Sequence, residues 1–165
     1  MNLARIARHM LAPDWIARRA FPAETMNAIA HAIGESEKAH RGELRFAVEV
    51  GLDFVPLARG ITPRERAAEV FSQLGVWDSE ENSGVLVYVQ LVDHAIEIVA
   101  DRGIAARVPQ AQWDAICRRM EQDCRARRYR DAALEAIREI GALLAAHFPA
   151  REANPNELPD RPVIL

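Results

Sequence analysis

The sequence has very few cysteines. Only two occur among 165 residues, Cys117 and Cys124. They lie seven positions apart in one predicted helix, about 10 Å along its axis, whereas a disulfide spans at most about 7 Å between Cα atoms. Neither belongs to a CxxC pair, and no His or Cys pair has zinc-finger spacing. We therefore expect free thiols in a reducing, cytoplasmic compartment.

Long apolar runs are also absent. No stretch approaches the roughly 20 apolar residues of a membrane span, and the N-terminus lacks the apolar core of about 7–15 residues of a secretory signal. We expect a soluble chain without a transmembrane segment. The first 21 residues nevertheless combine four arginines with an apolar stripe at helical spacing. Such a helix could touch an anionic membrane surface, but the sequence favours its packing on its own domain.

No charge excess of either sign is large. The chain has 21 Lys+Arg against 24 Asp+Glu, and half of its residues are hydrophobic. This balance excludes wholesale disorder and a protein that coats nucleic acid. A chain of 165 residues can bury a core without disulfides or metal, as one domain.

Apolar periodicity predicts the strands. Glu43–Val50 alternates and predicts a strand with one wetter face. Val85–Val92 is almost continuously apolar, which predicts a central strand covered on both faces. Ala95–Ala100 follows a two-residue link and predicts an antiparallel hairpin partner. The first two strands are separated by a helix and should run parallel.

Capping and helical periodicity predict the helices. Pro22–Lys38 forms one, and Thr62, Pro63 and Glu65 form a capping box that opens another, reaching to about Leu74. The segment between them, Gly51–Ile61, is predicted to be a loop. Two further amphipathic helices follow Pro109.

Together these patterns predict an α/β fold, a small mixed β-sheet sandwiched by helices with extra N- and C-terminal helices. The predicted organisation is an N-terminal helical extension over 1–21, an α/β domain over 22–150, and an extended Pro-rich tail over 151–165.

Two segments resemble the TPM-domain family, whose members include a thylakoid lumen protein, a photosystem II repair factor and a receptor auxiliary subunit. They are Asn82–Tyr88 and, after a short acidic turn, Ile96–Ile104. The likeness extends from about Ile29 to Phe148 and is closest to short bacterial members without a signal peptide or membrane tail. It implies an α/β sandwich, divalent-cation binding beside the sheet, and the phosphatase activity reported for some plant-type members. It also implies a protein partner, since other members resemble accessory factors for membrane complexes.

Charge patterning indicates a site independently. The window Trp77–Asp101 contains six acids and no Lys or Arg. Because β-pairing should bring Asp101 back beside the loop that precedes the central strand, acidic groups gather at one end of the sheet. The predicted ligands for Ca²⁺ or Mg²⁺ are Asp78, Glu80, Glu81, Asn82 and Asp101. The same end should carry the predicted anion- or ligand-binding residues Arg102, Glu37 and His40. The alternative is a solvated acidic loop.

Catalytic motifs are less informative. Cys124–Arg130 matches C-x5-R, but it lies on a predicted helix without the glycine that a phosphate loop needs. His40 is the candidate general base. A competing anion site would lie at the helix start at Thr62, with Arg59 and Arg64. The sequence therefore predicts an accessory or partner-binding module with a weak cation site, with no assigned catalytic residue. The alternatives are a metal-dependent phosphomonoesterase, in which Arg102 would hold the anion, and an interaction domain without a metal.

Overall fold

A four-stranded mixed sheet forms the centre of the computed structural model, which describes residues 2–151 and 156–165. The strands are β1 (Leu44–Glu49), β2 (Val85–Gln90), β3 (Ala95–Ala100) and β4 (Val163–Ile164), in the spatial order β3-β2-β1-β4. β1 runs parallel to β2 and to β4, and β2 runs antiparallel to β3. The predicted fold class, the central position of the second strand and both predicted pairings are confirmed.

Helices cover both faces of the sheet. They are α1 (Leu3–Met10), α2 (Trp15–Ala20), α3 (Ala23–Glu37), α4 (Phe54–Ala58), α5 (Pro63–Gln73), α6 (Arg102–Ala105), α7 (Gln110–Arg125) and α8 (Tyr129–His147). Alternate residues of β1 serve the two faces, because successive strand side chains point in opposite directions. Phe46 and Val48 join the larger core with α3, α7 and α8, while Ala47 joins the smaller core with α5.

The capping box that the sequence predicts at Thr62 is present. The Thr62 side chain accepts a hydrogen bond from the Glu65 backbone N–H, and the Glu65 carboxylate accepts one from the Thr62 N–H at 2.8 Å. This reciprocal pair satisfies two donors that a helix start leaves unpaired. It fixes where α5 begins, and hence how the crossover from β1 to β2 packs.

The predicted loop at Gly51–Ile61 contains a short helix, α4, so that part of the prediction was wrong. Pro56 lies in the first turn, where its missing N–H has no helical partner to lose. Leu57 is buried against Leu52 and Ile6, and this packing stabilises a helix that the local sequence does not indicate.

The prediction of a wetter face on β1 was also wrong. All six residues of β1 are buried, including Arg45 and Glu49. Arg66 of α5 binds the Glu49 carboxylate through two nitrogens, at 2.8 and 3.0 Å, and the Tyr88 hydroxyl donates to the same carboxylate. Polar partners on neighbouring elements thus bury the face of β1 that the alternating sequence predicts to be exposed to solvent.

The C-terminal segment adds the edge strand β4. Val163 and Ile164 pair in parallel with Ala47 and Val48. The predicted tail over 151–165 includes residues 152–155, and the predicted N-terminal extension includes Met1; these five lie outside the described residues. The three-part division of the chain stays a prediction. Among the described helices, none combines the length and apolarity that crossing a membrane requires.

Candidate functional site

The loop before β2 and the end of β3 meet at one end of the sheet. The Asp101 N–H donates to the Gly84 carbonyl at 2.8 Å, and the Gly103 N–H donates to the Asn82 carbonyl at 2.9 Å. We call Asp78, Glu80, Glu81, Asn82 and Asp101 the acidic rim. The antiparallel β2–β3 register, which pairs Val85 with Ala100, is what brings Asp101 to the loop.

Asp101 is the N-cap residue of α6. Its Oδ1 accepts the Arg102 backbone N–H at 2.7 Å. Its Oδ2 is shielded from solvent and has no hydrogen-bond partner among the described residues. A buried carboxylate oxygen without a partner is costly and is the kind of atom that binds an ion or ordered water.

Close backbone packing holds the loop against α6. A Cβ added to Gly103 would lie 2.4 Å from the Glu81 carbonyl oxygen and 2.6 Å from that of Asn82. Only glycine permits this approach. Asn82 itself has a φ of 53°, in the left-handed region that asparagine tolerates better than most residues. Two carbonyl oxygens therefore lie close to the helix that Asp101 caps.

Arginines already neutralise part of the acidic rim. Glu81 forms an ion pair with Arg41, and Arg151 lies 3.6 Å from the same carboxylate. The Arg102 Nε donates to Asn82 Oδ1 at 2.9 Å. The repulsion that the sequence pattern implies is thereby reduced, which lowers the affinity to be expected for a cation.

Asp78 and Glu80 are exposed to solvent. The Glu80 backbone N–H donates to the Glu157 carboxylate at 3.1 Å, so the C-terminal segment contacts the loop. Within residues 2–151 and 156–165, no three His, Cys, Asp or Glu side chains converge as a metal-binding group. A cation at the acidic rim would need amide or carbonyl oxygens and water in addition to carboxylates.

Glu37 contacts the beginning of β1 and the C-terminal segment. Its Oε1 accepts the Leu44 N–H at 3.1 Å. Burial, together with the nearby Glu43 and Asp160 carboxylates, raises the pKa of Glu37 to about 9. Its carboxyl is therefore neutral at pH 7, because burial and nearby carboxylates both disfavour the ionised form.

His40 is fully buried between α3 and β1. Its Nδ1 lies 2.9 Å from the Gly42 carbonyl, which can only accept, so Nδ1 carries the proton. Its Nε2 lies 2.9 Å from the Ser36 hydroxyl. Burial lowers the pKa of His40 to about 4, with the Gly42 hydrogen bond opposing the shift. This geometry gives His40 a structural role and supplies no exposed base at the acidic rim.

The two cysteines stay protonated. Burial, aided by nearby carboxylates, raises the thiol pKa of Cys117 and of Cys124 to about 12. Both are free and lie on α7, with Cys124 one residue before its end. Cys124 lies within α7 and not on a loop between a strand and a helix, so the C-x5-R match lacks the geometry of a phosphate loop.

The competing anion site has few donors left. Glu65 occupies the donor at the start of α5. Arg64 binds the Ile98 carbonyl and lies 3.6 Å from the Glu97 carboxylate. These partners engage the Thr62 N–H and the Arg64 guanidinium, while Arg59 is exposed.

Sequence reasoning did not assign Glu43, Arg41 or Glu157 to the site. The parallel pairing of β1 with β2 does predict that Arg41 and Glu43, which lie shortly before β1, belong to the end of the sheet that carries the acidic rim, but nothing in the sequence marks them as site residues. Nothing in the local sequence around Glu157 indicates that it reaches Glu80.

A family model described as the TPM domain matches residues 18–143. The chain belongs to the TPM domain family. The structure is also similar to the NMR structure of BA42 protein from the psychrophilic bacterium Bizionia argentinensis, which is 28% identical in sequence. The likeness covers 87% of this chain and 94% of that one, with a TM-score of 0.76. No curated protein matches the chain. The family resemblance that Asn82–Tyr88 indicates is confirmed.

Proposed function

We propose that this TPM domain is a cytoplasmic accessory module that binds a protein partner, and that its acidic rim binds Ca²⁺ or Mg²⁺ weakly. The observation that supports the cation site is Asp101 Oδ2, a solvent-shielded carboxylate oxygen without a hydrogen-bond partner among the described residues. A hard divalent cation is the ligand that such an oxygen fits.

The surrounding oxygens are of the matching kind. The carbonyls of Glu81 and Asn82 lie close to α6, and Asp78 and Glu80 are exposed on the same loop. Arg41 pairs with the Glu81 carboxylate and Arg102 donates to the Asn82 side-chain oxygen, so a cation bound through these side chains would displace existing contacts rather than fill a dedicated cage. Weak affinity is the consequence, and it suits a site whose occupancy changes with cation concentration.

Thermal unfolding in the presence of Ca²⁺ or Mg²⁺ tests the cation site. A ligand that binds only the folded state at about 100 times its Kd stabilises it by about 2.7 kcal/mol, which a melting curve resolves. We expect Asp101→Asn to remove most of this shift, because asparagine still caps a helix but offers an amide in place of a carboxylate.

Asp53→Asn is the matched control. Asp53 is also the N-cap residue of a short helix, α4, but it is exposed and makes no side-chain capping hydrogen bond. Its variant should keep the full response to Ca²⁺. If neither cation shifts the wild-type melting temperature, or if both variants respond alike, the cation site is refuted.

Phosphomonoesterase activity is the second candidate, favoured by the exposed Arg102 beside Asn82. A cation held at Asp101 would polarise a phosphoryl oxygen and Arg102 would bind the anion. Hydrolysis of p-nitrophenyl phosphate with and without Mg²⁺ separates the two candidates. Activity that requires Mg²⁺ and is lost in both Asp101→Asn and Arg102→Gln would establish the enzyme. Wild-type turnover no higher than that of these two variants would rule out the enzyme and favour the accessory module.

A further inference from the structure

Helix α1 docks on the domain through its polar side. Arg5 binds both carboxylate oxygens of Asp93, at 2.7 to 3.2 Å, and donates to the Ile61 carbonyl at 2.8 Å. His9 Nδ1 accepts the Leu52 N–H at 3.0 Å, and its Nε2 lies 3.1 Å from Asp93. These hydrogen bonds fix the helix on the domain and determine which side of it faces outward.

The outward side of α1 is apolar. Leu3, Met10 and Leu11 are 68%, 56% and 80% exposed, and their i, i+7 and i+8 spacing puts them on one helical face. An amphipathic helix in a globular domain ordinarily buries that face. Here the sequence-based expectation that α1 packs its apolar stripe on its own domain holds for Ile6, which is buried, but not for these three residues.

Further large apolar side chains are exposed on α2 and α4. Trp15 begins α2, and Phe54 and Val55 lie on α4, which packs against α1. Six of the nine exposed large hydrophobic residues of the described chain therefore belong to α1, α2 and α4 and their caps. Such clustering marks an interaction surface rather than scattered exposure. We call these six residues the apolar face.

Basic residues accompany the apolar face on a chain whose net charge is negative. Asp93 neutralises Arg5, but α1, α2, α4 and their caps also carry four exposed arginines against two exposed aspartates. They are Arg8, Arg18, Arg19 and Arg59, against Asp14 and Asp53. Trp15, Arg19 and Arg127 also line one open groove beside α2. Apolar side chains, arginines and an interfacial tryptophan are the combination that recognises an anionic bilayer surface.

We propose that the apolar face binds reversibly to an anionic lipid surface, with α1 lying in the interfacial plane and the arginines contacting lipid headgroups. A second copy of the chain fits less well, because a two-fold interface would place this surplus of arginines against itself. The acidic rim belongs to the opposite end of β2 from Asp93, so it would remain accessible when the apolar face is bound.

Cosedimentation of the full-length protein with vesicles tests the proposal. Vesicles of phosphatidylcholine mixed with phosphatidylglycerol should bind the protein, and vesicles of phosphatidylcholine alone should bind it far less. High salt should weaken the binding, since exposed charges are screened. Trp15→Glu and Leu11→Glu should each lower the partition coefficient by roughly tenfold or more, because each removes a large apolar side chain from the lipid contact.

Trp77→Glu is the matched control. Trp77 is 55% exposed and Trp15 is 57% exposed, and the substitution is the same, but Trp77 lies beside the acidic rim. Its variant should bind the mixed vesicles as the wild type does. Circular dichroism should show all three variants folded, since exposed positions contribute little to stability.

Two results would overturn the proposal. One is that the wild type does not bind the mixed vesicles at low salt, or binds them no better than Trp15→Glu. The other is a concentration-dependent dimer, seen by light scattering and abolished by Leu11→Glu, without vesicle binding. That second result would assign the apolar face to another copy of the chain.

Discussion

The Glu43 carboxylate accepts the backbone N–H of Leu158 at 3.0 Å, and of the preceding residue Glu157 at 3.2 Å. Two positions later, within β1, Arg45 donates to the carbonyls of Pro159 and Arg161. Both side chains are buried, and these hydrogen bonds reach backbone atoms of the C-terminal segment. Charge-assisted hydrogen bonds to its backbone thus hold the extended C-terminal segment against the sheet.

Removing Arg45 should loosen the C-terminal segment. Arg45→Leu leaves Glu43 buried without its neighbouring cation, which should lower the free energy of unfolding by about 3 kcal/mol. The Leu165 N–H, which donates to the Val48 carbonyl at 2.9 Å, should also lose protection against hydrogen exchange. Denaturant titration and NMR measure the two effects. Arg118→Leu on the exposed side of α7 is the control, and an equal loss there would contradict the role of Arg45.

Glu37 should make stability decline as pH rises. Burial and the Glu43 and Asp160 carboxylates raise its pKa from 4.5 to about 9, so between these values the folded state holds a proton that the unfolded state has released. The free energy of unfolding therefore falls across this window. Glu37→Gln, which stays neutral, should flatten the profile and stabilise the protein at pH 8 relative to the wild type.

Melting temperatures at pH 5, 7 and 8 check this prediction. Glu35→Gln is the control, because Glu35 is exposed two positions earlier on α3 and pairs with Lys38. Parallel pH profiles for the wild type and Glu37→Gln would show that Glu37 is ionised in the folded protein.

Asp93 should make the docking of α1 sensitive to acid. Burial disfavours its ionised form, but hydrogen bonds from Arg5 and His9 outweigh burial and lower its pKa. Its contribution to stability is thus present at neutral pH and lost as pH falls through the depressed pKa. Asp93→Asn should lower the free energy of unfolding by about 2 kcal/mol and expose the Leu52 amide to exchange. Asp114→Asn, exposed on α7, should change neither.

Gly103→Ala should disturb the acidic rim. The added Cβ would overlap the Glu81 and Asn82 carbonyl oxygens, so the loop must move away from α6. We expect a loss of about 2 kcal/mol and loss of any melting shift caused by Ca²⁺. Gly75→Ala adds a Cβ with no neighbour within 4 Å but at a φ of +67°, so it should cost about 1 kcal/mol and keep that shift. Equal behaviour of the two variants would contradict the close packing at Gly103.

The sequence pattern predicts the elements whose signal is local. Val85–Val92 is apolar enough to require burial on both faces, and the capping box at Thr62 marks a helix start, so β2 and α5 were predictable. Burial of Arg45 was not, because its partners lie 114 and 116 positions along the chain. Strand β4 has only two residues, too few for an alternation.

In the candidate site, too, the features with a local sequence signal were predictable and those that depend on distant residues were not. Hairpin register is a local property, so it predicts that Asp101 returns beside Asn82. The arginines that neutralise the acidic rim come from other elements: Arg41 precedes β1, and the side chain that it pairs with is 40 positions away. Charge counting within one window cannot reveal such pairing, which is why the sequence overstates the repulsion there.

The parallel pairing of β4 with β1 has a consequence for biosynthesis. During translation β1 is complete long before Val163 emerges from the ribosome. The edge of β1 that pairs with β4 therefore has unpaired backbone groups while the chain from α5 to α8 is synthesised. An uncovered strand edge is a template for pairing with other chains. Nascent chains would therefore be most prone to associate in the interval before the C-terminal segment arrives, and chain termination before β4 would prolong that interval indefinitely.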